Sequence, residues 1–431
     1  MHNVIGFQCL RCGECYYIKD DLSVLVKGCL SCATSYSVAN LSVKYDDNKK
    51  INISQSTFSD RENSMWRYFE FLPFEPGNAV TIGEGMTPLI PCTKMAKQLG
   101  VGHLYLKDET RNPTWSHKDR AMSVGISHAL ECGARVVTTS SSGNEGGALS
   151  AYAARAGLEA VVFTSASCPP TMRTLMQIYG AKLIATPTSQ DRFTIMGKCI
   201  ETFGWYPMSS YGNIPIGINP IGIEGYKTIA FEICEGLDFQ VPDIVIVPTC
   251  WGDVLQGIWK GFKEFKKFGL IDRVPKMIAA EVFGPLTNAI EKNLSYVETT
   301  PTEDTVAISI GAGISTWQAL NVLFESKGKA QDVNDDDILI MQSGLARSEG
   351  IFSEASSVAS VAALRKLREH NIVEADDIVV SVITSTGLKD PDVARSFLPE
   401  VPLIEPRLDA LEVALKNSYD MDINKHKYRV T

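Results

Sequence analysis

The sequence of 431 residues contains no run of about 18 apolar residues, the length that a helix needs to cross a bilayer. Its start, Met1 to Ile5, also lacks the cationic segment and apolar stretch of a secretory signal. We therefore expect a cytoplasmic protein that makes no contact with a membrane.

An excess of basic charge is missing too. The 41 Lys and Arg residues against 50 Asp and Glu residues give a net charge of −9 and a pI near 5.3. Charge therefore does not predict a nucleic-acid partner. Low-complexity composition is also absent, because 45% hydrophobic and 21% charged residues are ordinary values for a globular chain. The length suffices for two or three domains.

Cysteine is abundant, and five of the eleven cysteines lie within the first 32 residues. Two Cys-x-x-Cys pairs, Cys9 with Cys12 and Cys29 with Cys32, are separated by 16 residues, the spacing of two knuckle turns around one tetrahedral zinc ion. We expect a zinc ribbon over residues 1–40, because so small a unit has too little core to fold without a metal. Free thiols, or a site that has lost its metal, are the alternative. The ribbon would be structural, or would contact protein or nucleic acid.

The rest of the chain divides by composition. Residues 41–64 are polar, without an apolar period, and are interpreted as a linker. From residue 65 to about residue 400, β-branched runs alternate with Ala-rich helical stretches, which is typical of βαβ units and parallel sheets. We expect two α/β domains with a cleft between them, the smaller over about residues 121–230 and inserted in the larger. Residues 401–431 contain a short amphipathic helix that would pack on the body of the chain or on a second subunit of a homodimer.

Two local patterns give further predictions. The segment from Tyr16 to Val26, between the cysteine pairs, predicts short strands. The acidic cluster Asp335 to Asp337 predicts a solvated turn before a strand over residues 338–341.

One lysine stands at a position suited to chemistry. Lys118 follows a turn that contains a proline and precedes a predicted helix, Ala121 to Cys132. The positive end of a helix and burial both lower the pKa of an amine, so Lys118 could act as a Schiff-base nucleophile. Chemistry alone does not distinguish it from a surface lysine.

Five motifs occur in the order found in threonine synthases, namely Gly83–Leu89, the segment around Lys118, Ser140–Asn144, Glu224–Glu232 and Thr384–Asp390. From Met65 to about Asp392 the chain resembles this family of fold-type II pyridoxal-phosphate (PLP) enzymes. The cysteine ribbon followed by residues 66–73 is similar to the family's N-terminal form. The resemblance implies a tryptophan synthase β-like α/β fold, with two three-layer αβα domains on parallel sheets.

The resemblance also implies roles for individual residues. Lys118 would hold PLP and would then move protons as a general base and acid. Asn144 would lie beside the phenolic oxygen of the cofactor. Thr384 would contact the pyridine nitrogen, and a neutral hydroxyl there favours elimination and replacement over transamination. The loop that would bind the substrate carboxylate at a helix N-terminus consists of Ser141, Ser142 and Gly143.

By the same resemblance, the cofactor phosphate would lie on the loop Thr249, Cys250, Trp251, Gly252, Asp253 and Val254. The family's loop is rich in glycine so that backbone N–H groups reach the phosphate, whereas here only Gly252 remains. The loop can still present its backbone N–H groups to the phosphate, because glycine is strictly needed only at positions with a positive φ. A carboxylate would repel phosphate, so we expect Asp253 to point away or to cap the next helix at Val254.

Two further departures from the family change the charge of the site. Glu145 stands where a small hydroxyl residue usually helps to hold the substrate phosphate, and Gly222 stands where arginine is common. One like-charge pair at about 4 Å costs on the order of 4 kcal/mol at an effective dielectric of about 20, so both changes disfavour a doubly negative substrate group. Either Glu145 faces away from the cleft, or it receives a neutral or cationic leaving group. Trp115 and His117, in place of Gly and Phe, would alter the pocket as well.

Three functions follow. The first is threonine synthase, which converts O-phosphohomoserine and water into threonine and phosphate. The second is a sibling PLP enzyme acting on a different amino acid: a diamino-acid ammonia-lyase, a hydroxyamino-acid dehydratase or a replacement enzyme of specialised metabolism. The third is a non-catalytic regulator, which has no need of Lys118, Asn144 and Thr384 together. The expected ligands are PLP, structural zinc and a small amino-acid substrate, with no nucleic acid.

Overall fold

The computed structural model describes residues 3–17, 22–46, 51–212 and 214–423. Its strands are β1 (Val4–Cys9), β2 (Cys15–Tyr16), β3 (Leu41–Tyr45), β4 (Leu89–Pro91), β5 (His103–Asp108), β6 (Val136–Ser140), β7 (Glu159–Ser165), β8 (Lys182–Thr186), β9 (Tyr206–Pro207), β10 (Ile244–Pro248), β11 (Lys276–Glu281), β12 (Lys329–Asp332) and β13 (Ile378–Ile383). Its helices are α1 (Val24–Lys27), α2 (Thr93–Leu99), α3 (Lys118–Glu131), α4 (Asn144–Ala156), α5 (Pro170–Ile178), α6 (Ser189–Phe203), α7 (Pro220–Gly236), α8 (Asp253–Lys267), α9 (Pro285–Glu291), α10 (Trp317–Glu325), α11 (Asp335–Glu349), α12 (Ala355–Glu369), α13 (Pro391–Arg395) and α14 (Leu408–Tyr419). In the part of the chain that the structure describes, no helix has the length and apolar character needed to span a bilayer.

The N-terminal region is a three-stranded antiparallel sheet in the order β2-β1-β3. The prediction of a linker was wrong for its first five residues, because Leu41–Tyr45 forms β3. Alternate apolar side chains in it, Leu41 and Val43, are buried. The prediction of strands from Tyr16 to Val26 holds only at β2, since Val24–Lys27 is a helical turn and residues 18–21 lie outside the described residues.

A six-stranded sheet in the order β12-β11-β10-β13-β5-β4 forms the larger α/β layer. All its neighbouring strands are parallel except β4, which runs antiparallel to β5. The central strand β10 consists of Ile244–Pro248 and is buried along its whole length. A short run of β-branched residues buried on both faces is what helices on both sides of a parallel sheet require.

A second, four-stranded parallel sheet in the order β8-β7-β6-β9 lies between β5 and β10 in the sequence. The smaller sheet is thus inserted in the chain of the larger one. In both sheets the helices that follow the strands begin at the carboxyl edges, where clefts of parallel α/β proteins form.

The start of α3 is held by a buried ionic network. The guanidinium of Arg120 donates to both oxygens of Glu109, at 2.6 and 2.8 Å, and to both oxygens of Glu232, at 2.5 and 2.8 Å. Lys107 adds a bond of 2.6 Å to Glu232. Burial opposes the charge of Glu232, but Arg120 and Lys107 outweigh it and lower the pKa of that carboxyl to about 2. The network fixes α3 against α7 and β5, and with it the position of Lys118.

The prediction for the acidic cluster was wrong. Asp335–Glu349 is helix α11, in which Asn334 and Asp337 form a capping box instead of a turn before a strand. Three acidic residues in a first turn are stabilised by the helix dipole, so the same residues suit a helix start.

Residues 1–389 and 390–431 form two compact units. In the second unit, the amphipathic helix predicted for residues 401–431 is α14, Leu408–Tyr419. Residues 424–431 lie outside the described residues.

Candidate active site

Lys118 is the first residue of α3. The turn that leads to it is held by hydrogen bonds to the residues that follow strand β13. The backbone N–H of His117 donates to the carbonyl of Thr384 at 2.9 Å, and that of Thr386 donates to the carbonyl of Trp115 at 3.3 Å. The turn before Lys118 is therefore bound to the carboxyl edge of the large sheet, where the lysine enters the region between the two sheets.

Trp115 has a φ of +60°, in the left-handed region that favours glycine. A non-glycine residue there costs of order 1–3 kcal/mol, which the surrounding hydrogen bonds must offset. The indole is 48% exposed, so the substitution of the family's glycine adds a side chain at the surface of this turn and does not fill the core.

The charge of Lys118 is set by opposing effects. Burial lowers its pKa, but Tyr226, Glu145 and Asp253 outweigh burial and raise the pKa above its ordinary value. Burial raises the pKa of Tyr226 itself, so its phenol is neutral at neutral pH. Burial also raises the pKa of Asp253, to about 7. Of these groups, Glu145 is the carboxylate that forms an ion pair with Lys118, at 3.8 Å.

Glu145 does not face away from the cleft. Its Oε2 lies 3.8 Å from Nζ of Lys118, and its Oε1 accepts a hydrogen bond from Thr139 at the end of β6. The side chain is 14% exposed. Of the two orientations considered from the sequence, the structure has the one in which the carboxylate lies beside the reactive amine.

Asn144 begins α4 and is held on both sides of its amide. Its Oδ1 accepts from Nζ of Lys389 at 2.6 Å and from the hydroxyl of Ser385 at 3.1 Å. Its Nδ2 donates to Glu354 at 2.9 Å, which leaves the second hydrogen of the amide for a ligand. Burial lowers the pKa of Lys389 to about 8, although Glu354 and Asp119 partly oppose this effect.

The loop before α4 offers its backbone N–H groups to a ligand, whereas the hydroxyl of Ser142 is already bonded within the protein. Ser141 Oγ accepts from the N–H groups of Gly143 and Gly146 at 3.2 and 3.1 Å. Ser142 Oγ is bonded to Thr164, Ser165 and Arg192, so it turns toward β7 and α6. Any anion bound by Ser142 would therefore meet its N–H and not its hydroxyl.

Thr384 directly follows β13. Its hydroxyl lies 2.8 Å from that of Ser357 at the start of α12. The threonine is 6% exposed. Ser357 also accepts from the N–H of Ser385 at 2.9 Å, so the position of the threonine is fixed by two elements.

The loop between β10 and α8 is shaped by its backbone. Gly252 has φ +89°, and a Cβ there would lie 2.3 Å from the Cβ of Ala319, so this position requires glycine. The hydroxyls of Ser315 and Thr316 donate to the carbonyls of Cys250 and Trp251, both at 2.6 Å. With these carbonyls held, the loop and the first turn of α8 at Val254 present N–H groups, as an anion cradle does.

Two side chains of this loop are bonded to backbone groups of the protein. Thr249 donates its hydroxyl to the carbonyl of Val247 at 2.8 Å. Asp253 does not cap α8, whose N-cap is Gly252; instead its Oδ1 accepts from the N–H of Ile218 at 3.2 Å. A carboxyl with a pKa of about 7 carries only part of a negative charge near neutral pH, which lessens its conflict with a phosphate.

The residues fit the cofactor that the resemblance implies. Within the described residues, the buried hydroxyls of Ser116 and Ser140 have no hydrogen-bond partner; Ser116 lies two residues before Lys118, and Ser140 ends β6 beside the Ser141 loop. Unpartnered buried hydroxyls are costly unless a polar ligand meets them. The amine of Lys118, the hydroxyl of Thr384 and the amide of Asn144 supply the groups that an aldehyde, a pyridine nitrogen and a phenolic oxygen require.

The four N-terminal cysteines lie together. Sulfur atoms of Cys9, Cys12, Cys29 and Cys32 are all within 4.8 Å of one another. The pairs Cys9–Cys32 and Cys12–Cys29 are each 3.6 Å apart. Tetrahedral zinc with Zn–S bonds of about 2.3 Å separates its sulfur ligands by about 3.8 Å, so the donor set fits zinc. The fifth cysteine, Cys15, is not part of this cluster.

Several residues of this region were missed by sequence reasoning. Tyr226 and Lys389 lie within motifs that marked the family, but nothing in their spacing indicated contact with Lys118 or Asn144. Arg192 and Glu354 are in no motif, and only the folded chain brings them to the loop at Ser142 and to Asn144.

Comparisons with known proteins identify the family of this chain. A family model described as pyridoxal-phosphate dependent enzyme matches residues 80–385. The threonine synthase of Methanocaldococcus jannaschii is 37% identical over 418 residues, covering 95% of this chain and 99% of that protein. The threonine synthase of Methanosarcina acetivorans is 36% identical over 414 residues, covering 95% and 98%.

Solved structures agree in fold. The processed form of threonine deaminase isoform 2 from Solanum lycopersicum has a TM-score of 0.64 at 17% identity, covering 86% of this chain and 99% of that one. Maize serine racemase has a TM-score of 0.62 at 19% identity, covering 72% and 91%. These confirm the predicted fold class. The chain belongs to the pyridoxal-phosphate-dependent enzymes and, within them, to the threonine synthase family.

Proposed function

We propose that this enzyme converts O-phosphohomoserine and water into threonine and inorganic phosphate. The single observation that carries the proposal beyond the family is the placement of Lys118, whose amine lies 3.8 Å from Glu145 and interacts with Tyr226 and Asp253. Threonine synthases of two archaea match nearly the whole chain, which supports the same reaction here.

PLP, when bound, withdraws electrons from the α-carbon of the substrate and so makes its proton removable. Lys118 would hold the cofactor through its amine, and the same amine would remove the α-proton of the substrate and return protons to its carbon chain. Phosphate leaves from Cγ, and water adds at Cβ. The amine lies 3.8 Å from Glu145, which favours its protonated state and thus its action as an acid.

The other site residues bind and orient. Asn144, with its free amide hydrogen, would hold the phenolic oxygen of the cofactor, and Thr384, with its hydroxyl, would hold the pyridine nitrogen. The backbone of residues 249–254 would hold the cofactor phosphate. The N–H groups around Ser141, Ser142 and Gly143 bind the substrate carboxylate at the N-terminus of α4.

A sibling lyase remains a second candidate because of Glu145. A carboxylate beside the reactive amine would accept a cationic leaving group, such as the ammonium of a diamino acid, more readily than a phosphate. The two candidates differ in what is released, ammonia in one case and phosphate in the other.

The test is the visible absorption spectrum of the PLP-loaded enzyme before and after addition of O-phosphohomoserine, with assay of released phosphate. We expect a cofactor band that shifts with substrate, and threonine and phosphate in equal amounts. Lys118→Ala should abolish the cofactor-lysine band and lower turnover by about 10²–10⁴-fold. A band that ignores O-phosphohomoserine but responds to a diamino acid, with release of ammonia, would favour the sibling lyase.

Zinc bound by Cys9, Cys12, Cys29 and Cys32 is proposed as structural. The ribbon contacts the catalytic part through Asn40, whose side-chain amide donates to the carbonyl of Ile218 at 3.0 Å. This contact serves packing and does not involve the residues proposed for catalysis. A homodimer and a cytoplasmic location stay predictions from the sequence.

A further inference from the structure

A dianionic substrate group needs a cation, and two expected sources are not available at this site. Gly222 replaces an arginine, and a Cβ there would already lie 3.2 Å from the carbonyl of Ala121 and 3.5 Å from the side chain of Met208. Lys118 is paired with Glu145. Helix α7 therefore contributes no cation at residue 222, and the amine of the reactive lysine is matched by a carboxylate.

Arg192, near the start of α6, is a cation that the proposed chemistry has not used. Its Nη1 donates to Ser142 Oγ at 3.1 Å, in the loop that leads into α4. Its Nε is buried without a hydrogen-bond partner among the described residues. The guanidinium interacts electrostatically with Glu145 across a larger distance.

The guanidinium of Arg192 lies over an aromatic ring whose other neighbour belongs to the cofactor loop. Its Cζ lies 5.3 Å from the centroid of Phe193, and the ring of Phe193 lies 6.1 Å from that of Trp251. Arg192 thus contacts the substrate-carboxylate loop through Ser142, and its neighbour Phe193 lies near the loop that would hold the cofactor phosphate. Stacking leaves the edge of a guanidinium free to donate, in the fork geometry that matches a phosphate.

We propose that Arg192 binds the distal phosphate of the substrate and so determines specificity, in place of the arginine missing at Gly222. The proposal rests on the proposed function, because it names the side chain that receives the substrate's leaving group. The α-carboxylate is assigned to the N–H groups at the N-terminus of α4, so the unused guanidinium of Arg192 is assigned to the distal group. Glu145 stands at the position where the family places a hydroxyl for that phosphate.

The test uses two ligands that differ only at the distal end. 2-Amino-5-phosphonopentanoate carries a phosphonate that cannot be eliminated by C–O cleavage, and norvaline has the same amino acid without it. Dissociation constants are measured by calorimetry on the PLP-loaded enzyme, for wild type, Arg192→Gln, Arg192→Lys and, as a matched control, Arg173→Gln. Arg173 is an exposed arginine of α5.

We expect Arg192→Gln to weaken the phosphonate by about tenfold or more and norvaline by less than about twofold. Arg192→Lys should be intermediate, because it retains the charge but loses the fork. Arg173→Gln should match wild type. An unchanged cofactor band in all variants would establish that the site is folded.

Equal weakening of both ligands would overturn the proposal, since Arg192 would then bind the carboxylate or hold the Ser142 loop. An unchanged phosphonate affinity would also overturn it. The proposed reaction can fail separately: an enzyme that binds the phosphonate through Arg192 but releases no phosphate from O-phosphohomoserine would keep this assignment and lose the threonine synthase activity.

Discussion

The amine of Lys118 lies 3.8 Å from the carboxylate of Glu145, so that the first residue of α3 meets the first turn of α4. Each residue was singled out in the sequence, but for separate reasons. Their contact gives the reactive lysine an anionic partner in a buried place, and this determines both its protonation and the charge that a substrate meets.

Replacement of Glu145 by Gln should make Lys118 react with the cofactor at lower pH. Loss of the carboxylate removes a contribution that raises the pKa of Lys118, while burial continues to lower it. Only the neutral amine attacks an aldehyde, so the rate of PLP capture by the apoenzyme should rise about tenfold for each unit of lowered pKa, at any pH below both values. Stopped-flow absorbance between pH 6 and 9 measures this rate.

Glu159→Gln is the matched control, because Glu159 is an exposed carboxylate paired with Lys182. Its profile should coincide with that of wild type. Coincident profiles for Glu145→Gln and wild type would mean that Glu145 does not set the protonation of Lys118.

Asp253 should make cofactor binding depend on pH. Burial raises its pKa to about 7, although Lys118 opposes this shift. The group is neutral below that value and anionic above it, so affinity for the PLP phosphate should fall by about five- to tenfold between pH 6 and 8. Asp253→Asn should remove this part of the dependence. Equilibrium titration with PLP measures it, and the phosphate's own titration is common to all variants.

The same residue predicts a change in stability. An acid whose pKa is raised in the folded state contributes stability that is fully present below its unfolded pKa, about 3.9, and is lost as the pH rises through about 7. Asp253→Asn should therefore stabilise the apoenzyme at pH 8 by of order 2–4 kcal/mol relative to its effect at pH 4. Exposed Asp272→Asn is the control in thermal unfolding. Equal effects at both pH values would contradict the assignment of a raised pKa.

The four clustered cysteines should bind one zinc ion per chain. Cys9→Ser and Cys29→Ser should each lose the metal and loosen the ribbon, because zinc coordination in such small units contributes on the order of 10 kcal/mol to folding. Cys15→Ser is the control, since Cys15 lies outside the cluster and its sulfur contacts Lys44 at 3.4 Å. Elemental analysis gives the metal content, and limited proteolysis reports the ribbon. A metal content that falls equally in Cys15→Ser would contradict the proposed ligand set.

Arg120→Met should destabilise the protein by about 3–5 kcal/mol, because it leaves Glu109 and Glu232 as buried carboxylates with fewer partners. Urea unfolding of the apoenzyme measures the loss, with exposed Arg135→Met as the control. Adding Glu109→Gln to Arg120→Met should recover part of the loss, since it removes one buried charge. If the double variant is less stable than Arg120→Met, the destabilisation does not arise from unpaired charge.

Much of this protein was determined by local sequence. The spacing of Cys9, Cys12, Cys29 and Cys32 predicted the cluster, since each pair needs only one tight turn. The β-branched run of β10 predicted a buried parallel strand, because a strand covered on both faces admits few polar residues. Motifs around Lys118, Asn144 and Thr384 identified the family. Local patterns failed at β3 and at α11, where the few polar or acidic residues fit a strand edge and a helix start as well as a loop.

Only the tertiary structure decided which distant groups share one environment. The sequence left the direction of Glu145 open, since a residue in the first turn of a helix can face the cleft or the solvent. It likewise held no sign that Arg192 meets the loop at Ser142, or that Asp253 accepts from Ile218. Side-chain direction, burial and electrostatic neighbours depend on how two sheets and their helices pack together, and a pKa is set by that packing rather than by the residues adjacent in sequence.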